Sequence, residues 1–166
     1  MRRVGILTVS DRGAQGVYED KSGPLAAALV AERTGWDITR RDIIPDDLTT
    51  ITRTLLDWCA DGLDLILTSG GTGFALRDVT PEATRAVIDR EAPGIAEALR
   101  AESLKVTRHA MLSRAVAGMR GATLIINLPG NPKAVGENLD VLLPVLPHAL
   151  DLLTGRSESG QAHRDV

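Results

Sequence analysis

Aromatic side chains are nearly absent from the chain. Trp36, Trp58, Tyr18 and Phe74 are the whole set in 166 residues. The core must therefore be built from Leu, Val, Ile and Ala, and a stacking platform for single-stranded nucleic acid, which needs several aromatics, is not expected. There is one cysteine, Cys59, so no intrachain disulfide forms and no cysteine pair can anchor a zinc site. The three histidines, His109, His148 and His163, share no ligand spacing. A net charge of −3, with basic residues dispersed apart from Arg2-Arg3 and Arg40-Arg41, gives no surface for duplex nucleic acid. No run approaches the roughly 20 apolar residues of a membrane span, and the apolar run Val4 to Val9 is too short for a signal core. The chain is expected in the cytoplasm, without membrane or nucleic-acid partners.

The chain does have strands that alternate with helices. Val4–Ser10, Trp36–Ile44 and Leu63–Leu67 read as strands, the second ended by Pro45. Leu25, Leu29 and Val30 face one side of a helix that Gly35 stops and that Asp20 or Ser22 caps; Leu48, Ile51, Leu55 and Trp58 mark another, closed by Gly62. Thr80-Pro81-Glu82 predicts a helix start with Thr80 as the capping hydroxyl. Pro93-Gly94 predicts an interruption before a helix resumes at Ile95, with Ile95 and Leu99 inward. Leu112–Met119 and Ala122–Leu128 predict two short strands, Pro129-Gly130-Asn131-Pro132 a turn into a helix, and Leu142–Leu153 a further helix interrupted by Pro144 and Pro147. The expectation is one domain over 1–155 and a polar tail over 156–166. Its fold class is α/β, a three-layer α/β/α arrangement on a mainly parallel sheet. Such sheets bind ligands beyond the carboxyl ends of their strands. Four loops fall there: Ser10–Arg12, Pro45–Asp47, Ser69–Asp78 and Pro129–Lys133.

The most informative of these is Thr68-Ser-Gly-Gly-Thr-Gly-Phe-Ala-Leu-Arg-Asp-Val-Thr-Pro81, a strand emptying into three glycines within four residues. Gly70, Gly71 and Gly73 permit positive φ and remove Cβ atoms that would keep a phosphate from the backbone N–H groups. The same loop also fits a tight strand-to-helix connection. It lacks the Gly-Lys-Ser/Thr ending of a P-loop, and Leu67 stands where a nucleophile elbow needs glycine. Asp46, Asp47 and Asp78 each fit a helix-capping role, and Asp11-Arg12 fits a salt-bridged turn. Taken together, two carboxylates, Asp46 and Asp78, on neighbouring strand ends beside a phosphate cradle would repel a polyanion unless a divalent cation lay between; Mg²⁺ suits that place.

In order along the chain, Ser10-Asp11-Arg12, Gly16–Lys21, Ile44-Pro45-Asp46, Ser69–Gly73, Arg77–Glu82, Asp89-Arg90-Glu91, Leu112-Ser113-Arg114 and Asn127–Pro132 resemble the molybdenum-cofactor-biosynthesis family that contains molybdopterin adenylyltransferase and the adenylylating domain of gephyrin-like proteins. The resemblance covers about Val4 to Gly155, and Gly16–Lys21 resembles the adenylyltransferase branch. It implies a MoaB/Mog-like α/β domain, a homotrimer, that joins ATP to molybdopterin with release of pyrophosphate and with Mg²⁺ as cofactor, alongside other enzymes of the same pathway. It implies Asp46 and Asp78 as catalytic and metal-binding carboxylates. It places substrate binding at Ser10, Asp11, Arg12, Ser69, Gly70, Gly71, Thr72, Gly73, Arg77, Ser113, Pro129, Gly130, Asn131 and Lys133. Two alternatives stand beside it. One is a pterin-binding or scaffolding subunit without catalysis. The other is a nucleotide pyrophosphatase on the same domain type, whose glycine-loop aspartate is followed by a second acid where this chain has Val79.

Overall fold

Strand β1 (Arg3–Val9), buried at six of its seven positions, sits inside the sheet of the computed structural model, which describes residues 1–156. The tail expected beyond Arg156 and His163 lie outside the described residues. Strands β3 (Leu65–Ser69) and β6 (Thr123–Leu128) are buried throughout. Near-continuous apolar runs of this kind are what a parallel strand covered on both faces requires. β2 (Asp37–Ile44) is mostly exposed and carries Arg40, Arg41 and Asp42; charge of that kind protects an edge strand from pairing with another chain. The six-stranded sheet runs β2-β1-β3-β6-β5-β4. β1 pairs in parallel with β2 and β3, and β3 with β6, while β5 (Ala117–Arg120) and β4 (Arg90–Glu91) close the far side antiparallel.

Alternation along the strands divides the core into two layers. Val4, Ile6, Leu65, Leu67, Leu124 and Ile126 pack under α2 (Ser22–Thr34), α5 (Pro93–Leu104), α6 (Pro132–Leu142) and α7 (Leu146–Leu153). Leu7, Val9, Ile66 and Ile125 pack under α3 (Leu48–Ala60) and α4 (Thr80–Val87). A short helix, α1 (Asp11–Ala14), follows β1, its start capped by the Ser10 hydroxyl, which accepts from the Gly13 N–H. Arg2, nearly buried, ties the N-terminal side of the sheet to α7 by pairing with Asp64 and Asp151.

Five local expectations need correction. Thr80 does not cap α4: Val79 holds the cap position without a side-chain bond and Thr80 is the first helical residue. Pro93-Gly94 interrupts nothing. It opens α5, since a first-turn proline forgoes an N–H that has no helical acceptor anyway. The break is β4, two residues long and set by pairing with β5. The strand expected over Leu112–Met119 begins only at Ala117. Residues Arg108–Leu112 form a 3-10 helix, and the Arg114 N–H donates to the Thr72 carbonyl while that of Val116 donates to Asn127 Oδ1, so these groups are unavailable to a ladder. Past Leu142 the chain makes a separate α7 with Pro147 in its first turn, not one interrupted helix. At α2 Lys21, neither Asp20 nor Ser22, holds the cap position, although the Asp20 carboxylate accepts the Gly23 N–H; Gly35 and Gly62 end their helices as expected.

The parallel strands β1, β2, β3 and β6 all end at one edge. From β1 the chain crosses outward to β2, then returns to the other side of β1 as β3. That reversal opens a crevice between the ends of β1 and β3.

Candidate active site

The glycine loop fills the crevice. Gly70, at φ 100°, rests so close to β1 that a Cβ would stand 2.3 Å from the Val9 carbonyl oxygen. A Cβ on Gly71, at φ 67°, would stand 2.3 Å from Thr80 Oγ1 and 3.0 Å from Asp46 Oδ1, and one on Gly73 2.9 Å from Asp78 Oδ2. The expectation that these missing side chains leave room for a ligand is therefore corrected: the vacated directions point into the protein. Glycine lets the loop press against Val9, Thr80 and Asp46. Gly70 N–H bonds the Leu128 carbonyl and Ala75 N–H bonds Asp78 Oδ2, whereas those of Gly71, Thr72, Gly73 and Phe74 donate to no acceptor among the described residues. Four successive free donors of this kind form an anion-binding concavity.

The brace behind the loop is Arg114. Its Nε donates to the Gly73 carbonyl at 2.7 Å, its Nη2 to the Asp78 carbonyl at 2.6 Å, and its Nη1 to Glu82. Periodicity shows Ser113-Arg114 only as a surface pair, because the carbonyls it grips lie 36 to 41 residues away in sequence. Ser69 and Asn131 are also committed locally. The Ser69 hydroxyl donates to the Pro129 carbonyl at 2.9 Å, and Asn131 Oδ1 caps α6 by accepting from Lys133 and Ala134.

Asp46 and Asp78 do not project from neighbouring strand ends, because β1 lies between β2 and β3. The residue that fills the interval is Asp11. Its backbone N–H donates to Asp46 Oδ2 at 2.8 Å, and the Asp46 N–H returns to Asp11 Oδ1 at 3.0 Å. Arg77 grips the same Asp11 carboxylate with both Nε and Nη2, at 2.7 and 2.8 Å. Asp11 is thus no turn partner of Arg12, whose guanidinium lies 5.5 Å from the Tyr18 ring centre. The Arg77 hydrogen bond holds the Asp11 carboxyl below its ordinary range. Burial pushes Asp46 the other way, and the Asp11 and Asp78 charges add to it. The two candidates for the cap of α3 separate cleanly: Asp47 takes it, accepting from the Thr50 N–H and hydroxyl, and Asp46 Oδ1 is left without a donor among the described residues.

No group of three or more His, Cys, Asp or Glu side chains gathers as a metal cage among the described residues. Asp46 and Asp78, near enough that the Asp78 charge acts on Asp46, offer two carboxylates. That donor set fits Mg²⁺, which keeps several waters and takes its remaining oxygens from substrate phosphates.

Two hollows flank the loop. The larger, about 540 Å³, lies toward α5, the 3-10 helix and α6, and Thr72, Gly73, Ser113, Pro129, Asn131 and Lys133 line it. Arg100, His109 and Asn138 complete its wall; they come from three separate elements, and no spacing along the chain marks them. The smaller, about 120 Å³, lies toward α2, with Ser10, Ser69, Gly70 and Gly130 on its wall beside Tyr18, Asp20 and Lys21. Asp11, Arg12, Asp46, Gly71, Arg77 and Asp78 line neither hollow.

Residues 5–148 match the family model described as a probable molybdopterin binding domain. The chain is 42% identical to the molybdopterin adenylyltransferase of Helicobacter pylori over 92% of its own length and 88% of that protein. It is 43% identical to the gephyrin of Dictyostelium discoideum over 97% of its length, and spans 24% of that longer protein. The solved structure of the molybdopterin biosynthesis enzyme MoaB from Thermus thermophilus superposes with a TM-score of 0.87 at 52% identity, over 93% of this chain and 98% of that one.

Proposed function

Since the chain belongs to the molybdopterin-binding-domain family of molybdenum cofactor biosynthesis, we propose that it is a molybdopterin adenylyltransferase. It moves the adenylyl group of ATP onto the terminal phosphate of molybdopterin. A phosphate oxygen of molybdopterin bonds to the α-phosphorus, the bond from that phosphorus to the bridging oxygen breaks, and pyrophosphate leaves with the electron pair. The attacking phosphate is already anionic at neutral pH, so the reaction needs no strong general base. What it needs is two anions held in line and charge neutralised where it builds up.

The observation that carries this reading is the run of four N–H groups at Gly71, Thr72, Gly73 and Phe74 without partners among the described residues, in a loop flanked by two hollows and close to the Asp46 and Asp78 carboxylates. A reaction between two phosphate-bearing substrates uses all of these parts; a pocket for a single anion uses one. The backbone donors orient phosphate oxygens. Arg77, exposed on its outer side and paired with Asp11, can exchange that partner for a phosphate. Lys133, exposed at the rim of the larger hollow, adds a second cation. A Mg²⁺ ion held by Asp46 and Asp78 would neutralise charge on the α-phosphate and the departing pyrophosphate.

Cytoplasmic location and a homotrimeric assembly belong to the same proposal, and exposed Phe74, Leu76, Val106, Met111 and Leu112 near the loop support the assembly. Calorimetry tests the central claim. An ATP analogue with Mg²⁺ is titrated into the protein alone and into protein saturated with molybdopterin. Simultaneous occupancy is expected. Strict competition, or no nucleotide binding in either case, would replace the enzyme with a pterin-binding scaffold.

A further inference from the structure

Among the described residues one buried side-chain oxygen has no hydrogen-bond partner, Oγ1 of Thr80. Thr80 is 0% exposed, and the polar interior behind it is otherwise satisfied. Asn127 Nδ2 donates to the Thr68 and Thr84 hydroxyl oxygens at 3.0 and 2.9 Å, and the Thr84 hydroxyl donates to the Thr80 carbonyl at 2.9 Å. A helical threonine ordinarily donates back to a carbonyl one turn earlier. Thr80 opens α4, so no helical carbonyl precedes it. The Gly71 carbonyl is already engaged by the Thr80 N–H at 3.2 Å.

The place where a Gly71 Cβ would stand is 2.3 Å from Thr80 Oγ1 and 3.0 Å from Asp46 Oδ1. The hydroxyl and the carboxylate therefore border one small gap, kept open by the absence of a side chain at 71. Asp46 Oδ2 accepts from the Asp11 N–H, and Oδ1 accepts from no described residue. A donor without an acceptor stands across a gap from a carboxylate oxygen without a donor.

We infer that Thr80 is a positioning residue: its hydroxyl donates to Asp46 Oδ1 when the loaded site tightens, and fixes the carboxylate from behind so that its remaining lone pairs face the cation. Hydrogen bonds of this kind are commonly long before substrate binds and close in the complex. The inference rests on the reading of Asp46 as a cation ligand, and it adds a residue that touches neither substrate nor metal.

The test uses the full chain with Mn²⁺ as a paramagnetic probe and a non-hydrolysable ATP analogue, free Mn²⁺ being read by electron paramagnetic resonance. Thr80→Val keeps the branched shape and removes the hydroxyl; Thr80→Ser keeps the hydroxyl. The valine variant is expected to bind Mn²⁺ about tenfold more weakly, the low end for losing a residue that orients a metal ligand, with serine within about twofold of wild type. Its melting temperature is expected not to fall, since it buries no unpartnered hydroxyl. Equal Mn²⁺ affinity in the valine variant and wild type overturns the inference, as does equal weakening by valine and serine. Should the valine variant not fold, wild-type NMR decides: a slowly exchanging Thr80 hydroxyl proton is expected to appear when Mg²⁺ and the analogue are added, and its absence overturns the inference. Failure of wild type to bind Mn²⁺ at all would instead remove the cation reading of Asp46, and this inference with it.

Discussion

Burial, with the charges of Asp11 and Asp78, pushes the Asp46 carboxyl above its ordinary range, which sets function against stability at a single side chain. Its folded pKa lies above the unfolded value, so the folded chain binds that proton more tightly than the unfolded chain does. The destabilising contribution of the ionised form is complete above the folded pKa and fades as pH falls through it. Asp46→Asn is expected to lower adenylylation by roughly 10²–10³, the scale of losing one preorganised electrostatic contact, and yet to raise the melting temperature at pH 7. That gain should vanish as pH approaches the unfolded carboxyl range, where wild type is itself neutral; calorimetric scans across pH would show it. Gly71 gives the opposite coupling. An alanine there must adopt φ 67° and place its Cβ on Thr80 and Asp46. The left-handed conformation alone is worth about 1–2 kcal/mol, so Gly71→Ala should lose stability and ATP-analogue binding together. Weakened binding at an unchanged melting temperature would mean that the loop yields toward the ligand instead.

At the level of elements, the ends of β3 and β6 and the middle of α4 are clipped together by Asn127. Its amide donates to Thr68 and Thr84 and its carbonyl accepts the Val116 N–H. Asn127→Leu would strand those groups in the interior, each at about 1–3 kcal/mol. A urea titration should show a midpoint lowered by several kcal/mol equivalents with the slope unchanged. This clip also explains which parts of the fold can be read from the sequence. Strand β3, the stops at Gly35, Pro45 and Gly62, and the four loops at one sheet edge follow from local chemistry, because apolar runs, φ preferences and caps act within a few residues. The Arg114 N–H bond to Thr72, β4 and the grip of Arg114 on the loop follow from partners dozens of residues distant, and no local pattern encodes them. The site divides the same way. The glycine loop and both carboxylates stand out along the chain. The Asp11–Arg77 pair between them, and the wall of Arg100, His109 and Asn138, come into view only once the strands are ordered.

For the whole molecule, the exposed apolar side chains close to the glycine loop, with Leu76 fully exposed and Phe74 at 69%, are a reason to expect that the isolated chain is not the working unit. Light scattering coupled to size exclusion should report about three times the 17.7 kDa chain mass, a closed ring of three being built by two different, mutually complementary patches on each chain meeting head to tail around an axis. A monomer at micromolar concentration would refute it.

Four carboxylates, Asp11, Asp46, Asp47 and Asp78, gather at the ends of β1, β2 and β3 with the guanidiniums of Arg12 and Arg77, while Lys133 and Arg100 lie at the larger hollow and Lys21 at the smaller. A bare polyphosphate that comes in over the carboxylate side meets a field of its own sign, and added salt shortens the reach of that field. Nucleotide already carrying its magnesium feels much less of the barrier. The carboxylates thereby act on the order of events: they favour the metal-bound form of the nucleotide at the moment of encounter, before any phosphate has reached the backbone donors.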